Sequence, residues 1–228
     1  MNTEILSLLH ENTLLITKES VISSLRTLVL QWKLSRSNKK LYINCYPHAN
    51  KIGSEQWIYL SLRKILPIHD IITPGMQIED NCEILFLDDW SLSGNNAAAT
   101  LEHILYKKIY KDIYYTFLFN ILTNQAIRTI NRIAALYPYV SHQILRVKKI
   151  YEFDDILHKY KIPQEDINNF NRSVNPDTEC GSYAILSDYK IPNQFGSYPT
   201  IYKSMYSIDR SFMKEIESEW ISLSAEIR

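Results

Sequence analysis

Residues 84 to 96 read Ile84-Leu85-Phe86-Leu87-Asp88-Asp89-Trp90-Ser91-Leu92-Ser93-Gly94-Asn95-Asn96. Four consecutive apolar residues have the length and continuity of a strand buried on both faces, and the alanine-rich stretch that follows favours a helix. In an open parallel sheet, ligands bind beyond the carboxyl ends of the strands. Asp88 and Asp89 are expected there, just past the apolar run. Two adjacent carboxylates at the end of a buried strand repel one another and lose solvation unless a cation, a sugar or hydrogen-bond donors receive them. The next helix begins after Ser93 and Gly94. Its N-terminus presents unpaired N–H groups and the positive end of the helix dipole, Gly94 lets the backbone approach an anion, and the Ser93 hydroxyl adds a donor. The segment is therefore expected to hold diol hydroxyls on one side and a phosphate on the other, as ribose 5-phosphate requires.

Outward from this segment the pattern alternates. Strands are expected at 41–46, 70–73, 83–87, 114–122 and 142–150, with helices at 54–66, 95–106 and 124–136. Alternation with near-continuous apolar strands predicts an α/β fold, a doubly wound, mainly parallel sheet covered by helices on both faces. Two helices precede it, around Ile5–Leu9 and Ser20–Leu34, the second with Val21, Leu25, Leu28 and Trp32 at helical spacing. The basic residues Lys33, Arg36, Lys39 and Lys40 close that helix and read as a solvated helix terminus in preference to a nucleic-acid patch. Beyond Tyr151 the chain becomes a polar helical stretch, an Asn/Pro/Gly-containing loop and a short apolar run at Tyr183–Leu186. The expected division is 1–40 (N-terminal helices), 41–150 (α/β core) and 151–228 (appended hood and helix), forming one compact unit.

The 228 residues, 46% of them hydrophobic, suffice for one substantial core. The 25 basic and 25 acidic residues cancel, which gives no support to a duplex-binding or membrane-surface protein. Cys45, Cys82 and Cys180 show no Cys-x-x-Cys spacing and read as reduced packing residues of a cytoplasmic protein. No apolar stretch approaches the roughly 18 residues of a membrane span. The six histidines lack metal-ligand spacing. Ser91 and Ser93 do not sit in a Gly-x-Ser-x-Gly elbow, which argues against a serine hydrolase. A response-regulator receiver also clusters acids on a parallel sheet, but after its first strand. Here the pair follows the third.

The order of strand, acidic pair, hydroxyl- and glycine-containing loop and helix resembles the signature of the type I phosphoribosyltransferases. By that resemblance Asp88 and Asp89 are catalytic residues contacting the ribose hydroxyls of phosphoribosyl pyrophosphate, and Ser91, Ser93, Gly94, Asn95 and Asn96 wrap the 5-phosphate. Two positions depart from the pattern: Leu92 replaces a usual hydroxyl residue, and Asn96 stands where threonine is common. The resemblance also implies Mg2+ bound together with phosphoribosyl pyrophosphate, and a pyrophosphate loop at 46–54, where Lys51 is the candidate contact or else a solvated lysine of a polar loop. A mobile loop with a basic residue is expected between the second strand and the phosphate-loop strand. The connection Thr73–Asn81 contains no lysine or arginine, so positive charge would have to come from Arg63, Arg128, Arg146 or Lys190.

The segments Ser187–Asn193 and Gly196–Tyr202 are similar to the C-terminal part of the phosphoribosyltransferase-like proteins of bacterial conflict and antiphage operons, some linked to retrons. That resemblance implies a hood over the acceptor, with Tyr189 and Lys190 on the acceptor side and Tyr189 or Phe195 stacking on a base or serving as packing residues. It also implies a reverse transcriptase or DNA-binding partner encoded alongside. Three readings stay open: magnesium-dependent phosphoribosyl transfer or glycosidic cleavage; a non-catalytic nucleotide-binding regulator; and an interaction subunit docking through its N-terminal helices and the Trp220 helix. Acceptor and oligomeric state stay open as well.

Overall fold

The computed structural model describes residues 2–12, 14–45, 53–91, 93–106, 111–149, 153–174, 185–187, 218–219 and 222–223. The chain divides into two contact units, residues 1–20 with 150–210 and residues 21–149 with 211–228. The larger unit carries a five-stranded sheet, all parallel, in the order β3-β2-β4-β5-β6. Its strands are β2 (Lys40–Ile43), β3 (Asp70–Ile71), β4 (Cys82–Ser91), β5 (Ile113–Leu122) and β6 (Val140–Lys149). Helices α3 (Ser54–Leu62), α4 (Asn95–Leu105) and α5 (Asn124–Ala134) connect them, and α2 (Lys18–Ser35) precedes them. The doubly wound α/β sheet expected from the sequence is present.

The strand runs formed because their side chains are buried on both faces. Every residue of β4 is buried, and so are all but Tyr114 in β5. On one face Ile84 and Phe86 of β4 pack with Tyr115, Phe117 and Phe119 of β5 against Ala97 and Leu101 of α4 and Ala126 and Ile130 of α5. Phe86 lies 5.9 Å, ring centre to ring centre, from both Phe117 and Phe119. Of the three consecutive alanines, Ala97 and Ala98 turn inward and Ala99 is exposed.

The other face holds a buried polar anchor. Glu83, at the start of β4, is fully buried and accepts hydrogen bonds from Trp32 Nε1 (3.0 Å), Thr116 Oγ1 (3.1 Å) and Arg36 Nε (3.1 Å). Gln143 on β6 donates to the same Thr116 hydroxyl at 3.0 Å. Trp32 and Arg36 belong to or directly follow α2, so part of the basic run read as a solvated helix terminus is instead an ion pair holding α2 to the sheet.

The connection from β3 to β4 returns across the sheet without a helix. Ile78 is buried in the α4/α5-side core, Met76 packs against it, and Asn81 N donates to Lys111 O at 2.8 Å. The segment expected to be a mobile catalytic loop is thus pinned into the core. Several ends also move: the helix expected to reach Leu66 stops at Leu62 and continues as a 3-10 turn through Ile65, and β6 begins at Val140.

In the smaller unit β1 (Leu14–Ile16) pairs in parallel with β7 (Ile185–Ser187). Helix α1 (Asn2–Glu11) packs against α6 (Phe153–Lys159), and Asn12 Nδ2 donates to the Tyr160 hydroxyl at 3.2 Å. The polar helical stretch expected beyond Tyr151 forms two helices, because Lys161 takes a left-handed conformation (φ 59°) and Pro163 opens α7 (Gln164–Val174). Strand β1 was not expected.

Candidate functional site

The strand order reverses between β2 and β4: the chain leaves β2 for β3 on one side, then crosses back to β4 and proceeds outward to β5 and β6. A crevice at such a reversal, at the carboxyl ends of the strands, is where an open α/β sheet receives ligands. The segments that leave β2 and β4 at this end are the candidate pyrophosphate and phosphate loops.

Asp88 and Asp89 lie at this end, but inside β4, not past it. The ladder with β5 continues through Trp90↔Ile121 and Ser91↔Leu122. Their fractional exposures are 4% and 0%. Backbone donors meet part of the cost of that burial: Asp88 Oδ1 accepts from Asp89 N and Asp89 Oδ1 from Trp90 N, both at 2.8 Å. Consecutive strand residues point to opposite faces, so Asp88 falls in line with Ile84 and Phe86, and Asp89 in line with Glu83, Leu85 and Leu87. The two carboxylates therefore approach the crevice from the two sides of one strand.

Ser91, the last residue of β4, and Ser93 beyond it are buried, while Asn95 and Asn96 are exposed on the first turn of α4. Ser93 Oγ accepts from Asn95 N at 3.3 Å, and the N-cap Gly94 supplies no side chain, whereas α5 is capped by Thr123, whose hydroxyl accepts from Ala126 N at 2.9 Å. Gly94 has φ 81°, and a Cβ there would lie 2.6 Å from Ala126 O. Its glycine is required by the approach of α4 to α5, independently of any anion. Gly94→Ala is accordingly expected to destabilise the protein by about 2 kcal/mol or more, from left-handed strain plus overpacking, read as a lower urea midpoint without ligand.

Asn96 reaches across the crevice: its Nδ2 donates to Glu55 Oε1 on the first turn of α3. One turn of α3 is also tied to the end of β2, since Gln56 Nε2 donates to Cys45 O and Gln56 Oε1 accepts from Gly53 N, both at 2.5 Å. Gln56, 2% exposed, thus links Cys45 to Gly53. Burial, with the nearby Glu55 carboxylate as a smaller cause, pushes the Cys45 thiol well above its usual range. Asn44, next along the chain, donates its Nδ2 to the buried Tyr115 hydroxyl at 2.6 Å, and burial raises that hydroxyl's pKa.

Lys51, Tyr189 and Lys190 lie outside the described residues. Of the other cations expected to supply positive charge, Arg63 sits beyond the far end of α3, roughly 15 Å along the helix from Gly53, and pairs with Glu219 at 3.1 Å. Arg128 is exposed on α5. Arg146 is the one that register brings to the site: it stands opposite Phe119, which stands opposite Asp88, so one strand separates the acid from the base, roughly 10 Å. Its Nη1 donates to Leu122 O at 2.9 Å.

No family model matches the chain, and no curated protein matches it. Among solved structures it is similar to a hypothetical protein from Neisseria gonorrhoeae with bound ppGpp, at 12% identity and a TM-score of 0.37, covering 70% of this chain and 95% of that one. It is also similar to a Helicobacter pylori xanthine-guanine-hypoxanthine phosphoribosyltransferase, at 16% identity and a TM-score of 0.34, covering 64% and 95%.

Glu55, Gln56 and Asn120 were not among the expected site residues. Asn120, 2% exposed, interrupts the apolar run of β5 at its carboxyl end, and a lone amide inside Phe117-Leu118-Phe119-Asn120-Ile121-Leu122 was a readable signal. Among the described residues no group of three or more His, Cys, Asp or Glu could hold a metal ion, and no helix is long and apolar enough to cross a membrane.

Proposed function

We propose that the crevice between β2 and β4 binds phosphoribosyl pyrophosphate or a related ribose 5-phosphate ligand. The observation that carries this reading is the buried acidic pair at the carboxyl end of β4, beside the topological reversal and one short turn from the N-terminus of α4. Carboxylates accept hydrogen bonds from sugar hydroxyls, and the positive end of a helix favours the phosphate.

The reaction in this proposal is transfer of the 5-phosphoribosyl group: the C1–oxygen bond to pyrophosphate breaks and a bond from a nitrogenous base, a nucleotide or water forms. Asp88 and Asp89 stabilise the positive charge that develops on the ribose. Their hard oxygens suit Mg2+, which is commonly held by one or two carboxylates together with ligand phosphates, and with no larger acidic cluster among the described residues the phosphates and water would complete its shell. Bound there, Mg2+ supplies charge neutralisation on the departing pyrophosphate.

The pinned 72–81 connection, without lysine or arginine, favours a second reading, a nucleotide-binding regulator that retains the pocket and does not turn over. A place in an antiphage operon, beside a reverse transcriptase or a DNA-binding protein, is supported by the resemblance of residues 187–202. Calorimetric titration with phosphoribosyl pyrophosphate and Mg2+, followed by assay of pyrophosphate release, separates the readings. Binding with release supports transfer, binding without release supports the regulator, and no binding sinks both. A gene neighbourhood confined to nucleotide salvage would remove the defence role.

A further inference from the structure

Asn120 poses a problem that the fold does not solve internally. Its Oδ1 is fully buried and has no hydrogen-bond partner among the described residues. Leaving a buried amide oxygen unpaired costs the free energy of its lost hydration, and native proteins rarely retain such a group without a use. Leucine would fill the same strand position, within the otherwise apolar run Phe117–Leu122, without that cost.

Its position gives the use. The β4–β5 ladder keeps one register from Glu83↔Tyr114 to Ser91↔Leu122, which sets Asp89 opposite Asn120 on the neighbouring strand, roughly 5 Å away in the sheet. Residues opposite one another on parallel strands share a face, and the hydrogen bond from Thr116, which stands opposite Leu85, to Glu83 shows that the odd-numbered residues of β4 and the even-numbered residues of β5 lie on one face. At the carboxyl end of the sheet, one face thus presents a carboxylate and an amide oxygen side by side. Both accept hydrogen bonds. A hydroxyl or amino group placed between those two oxygens would find two acceptors.

We propose that Asn120 is a specificity-determining residue whose Oδ1 accepts a hydrogen bond from a hydroxyl or amino group of the bound sugar phosphate or nucleotide, next to Asp89. This inference rests on the ribose-phosphate reading of the crevice and adds to it a neutral acceptor that distinguishes donor-bearing ligands from their analogues.

The test compares wild type with Asn120→Leu in two measurements, thermal melting without ligand and calorimetric affinity. The ligands are ribose 5-phosphate and 2-deoxyribose 5-phosphate, then adenosine and inosine 5′-monophosphate, which differ by an amino group and a carbonyl oxygen. Because leucine removes an unpaired polar atom, Asn120→Leu is expected to melt at or above the wild-type temperature while binding about tenfold more weakly to the donor-bearing ligand. Loss of discrimination confined to the first pair identifies a sugar hydroxyl, and loss confined to the second an exocyclic amine. Equal affinities of the two proteins for every ligand, or a lower melting temperature for Asn120→Leu with affinity unchanged, would overturn the role of Asn120 while leaving the ribose-phosphate site in place. Absence of binding by wild type to all four would overturn both. Should Asn120→Leu fail to fold, Asn120→Ala is read in the same way by affinity alone.

Discussion

Asp89→Asn is expected to weaken binding of phosphoribosyl pyrophosphate by about 10- to 100-fold while leaving the fold intact. Hydrogen bonds to a charged group contribute about 1.5–3 kcal/mol, and each 1.4 kcal/mol or so is tenfold in affinity. Asparagine keeps the shape of the side chain and an oxygen able to accept from Trp90 N, the local bond that Asp89 Oδ1 makes at 2.8 Å. The substitution therefore removes charge without removing that contact. Isothermal titration in the presence of Mg2+ measures the affinity, and a melting curve checks the fold. Wild-type affinity in Asp89→Asn, with the fold retained, would mean that the acidic pair does not receive the ribose.

The largest effect on stability is expected at the other end of the same strand. Glu83→Ala leaves the Arg36 guanidinium, 12% exposed, beside an empty buried position, and also strips Trp32 Nε1 and the Thr116 hydroxyl of their acceptor. Breaking a buried pair by removing one partner costs about 3–5 kcal/mol, because the remaining charge stays buried without compensation. For a chain of this size that corresponds to a fall in melting temperature of roughly 6–20 °C. Glu83→Gln, which keeps an oxygen for Trp32 and Thr116, should fall between the two proteins. A double-mutant cycle with Arg36→Ala isolates the ion pair from the two neutral bonds. A loss under about 1 kcal/mol in Glu83→Ala, in the range of an exposed pair, would show that Glu83 does not anchor α2.

The parts of the fold visible in the sequence are those whose pattern is local. Ile84–Leu87 and Tyr115–Ile121 announce strands because burial on both faces removes the usual polar alternation. The last four residues of β4 were hidden for the opposite reason. Asp88 and Asp89 look like a strand end, and only the pairing of Trp90 and Ser91 with β5 keeps them in the ladder. Leu14–Ile16 is too short for any periodicity to register, and its partner Ile185–Ser187 is far along the chain. At the site, the acidic pair, Ser93 and Gly94 could be picked out by type and spacing. What sequence did not supply was occupancy: Ser93 is engaged with Asn95 N, Asn96 with Glu55, and Gly94 is held by its closeness to Ala126. Arg63 and Arg146 were equivalent candidates by charge. Helix direction takes Arg63 away from the crevice, and strand register brings Arg146 toward it.

β4 carries Glu83 at its beginning and Asp88 and Asp89 near its end, five and six residues further on, a separation of about 17–20 Å along the strand. At that distance two unit charges interact by only about 1 kcal/mol at an effective dielectric constant of ~20, and the intervening residues Ile84–Leu87 carry no charge. Changes that retune the acids for another ligand can therefore accumulate without eroding the anchor that keeps α2 in place. Such insulation within one strand gives the crevice room to diverge in chemistry while the scaffold beneath it is inherited unchanged.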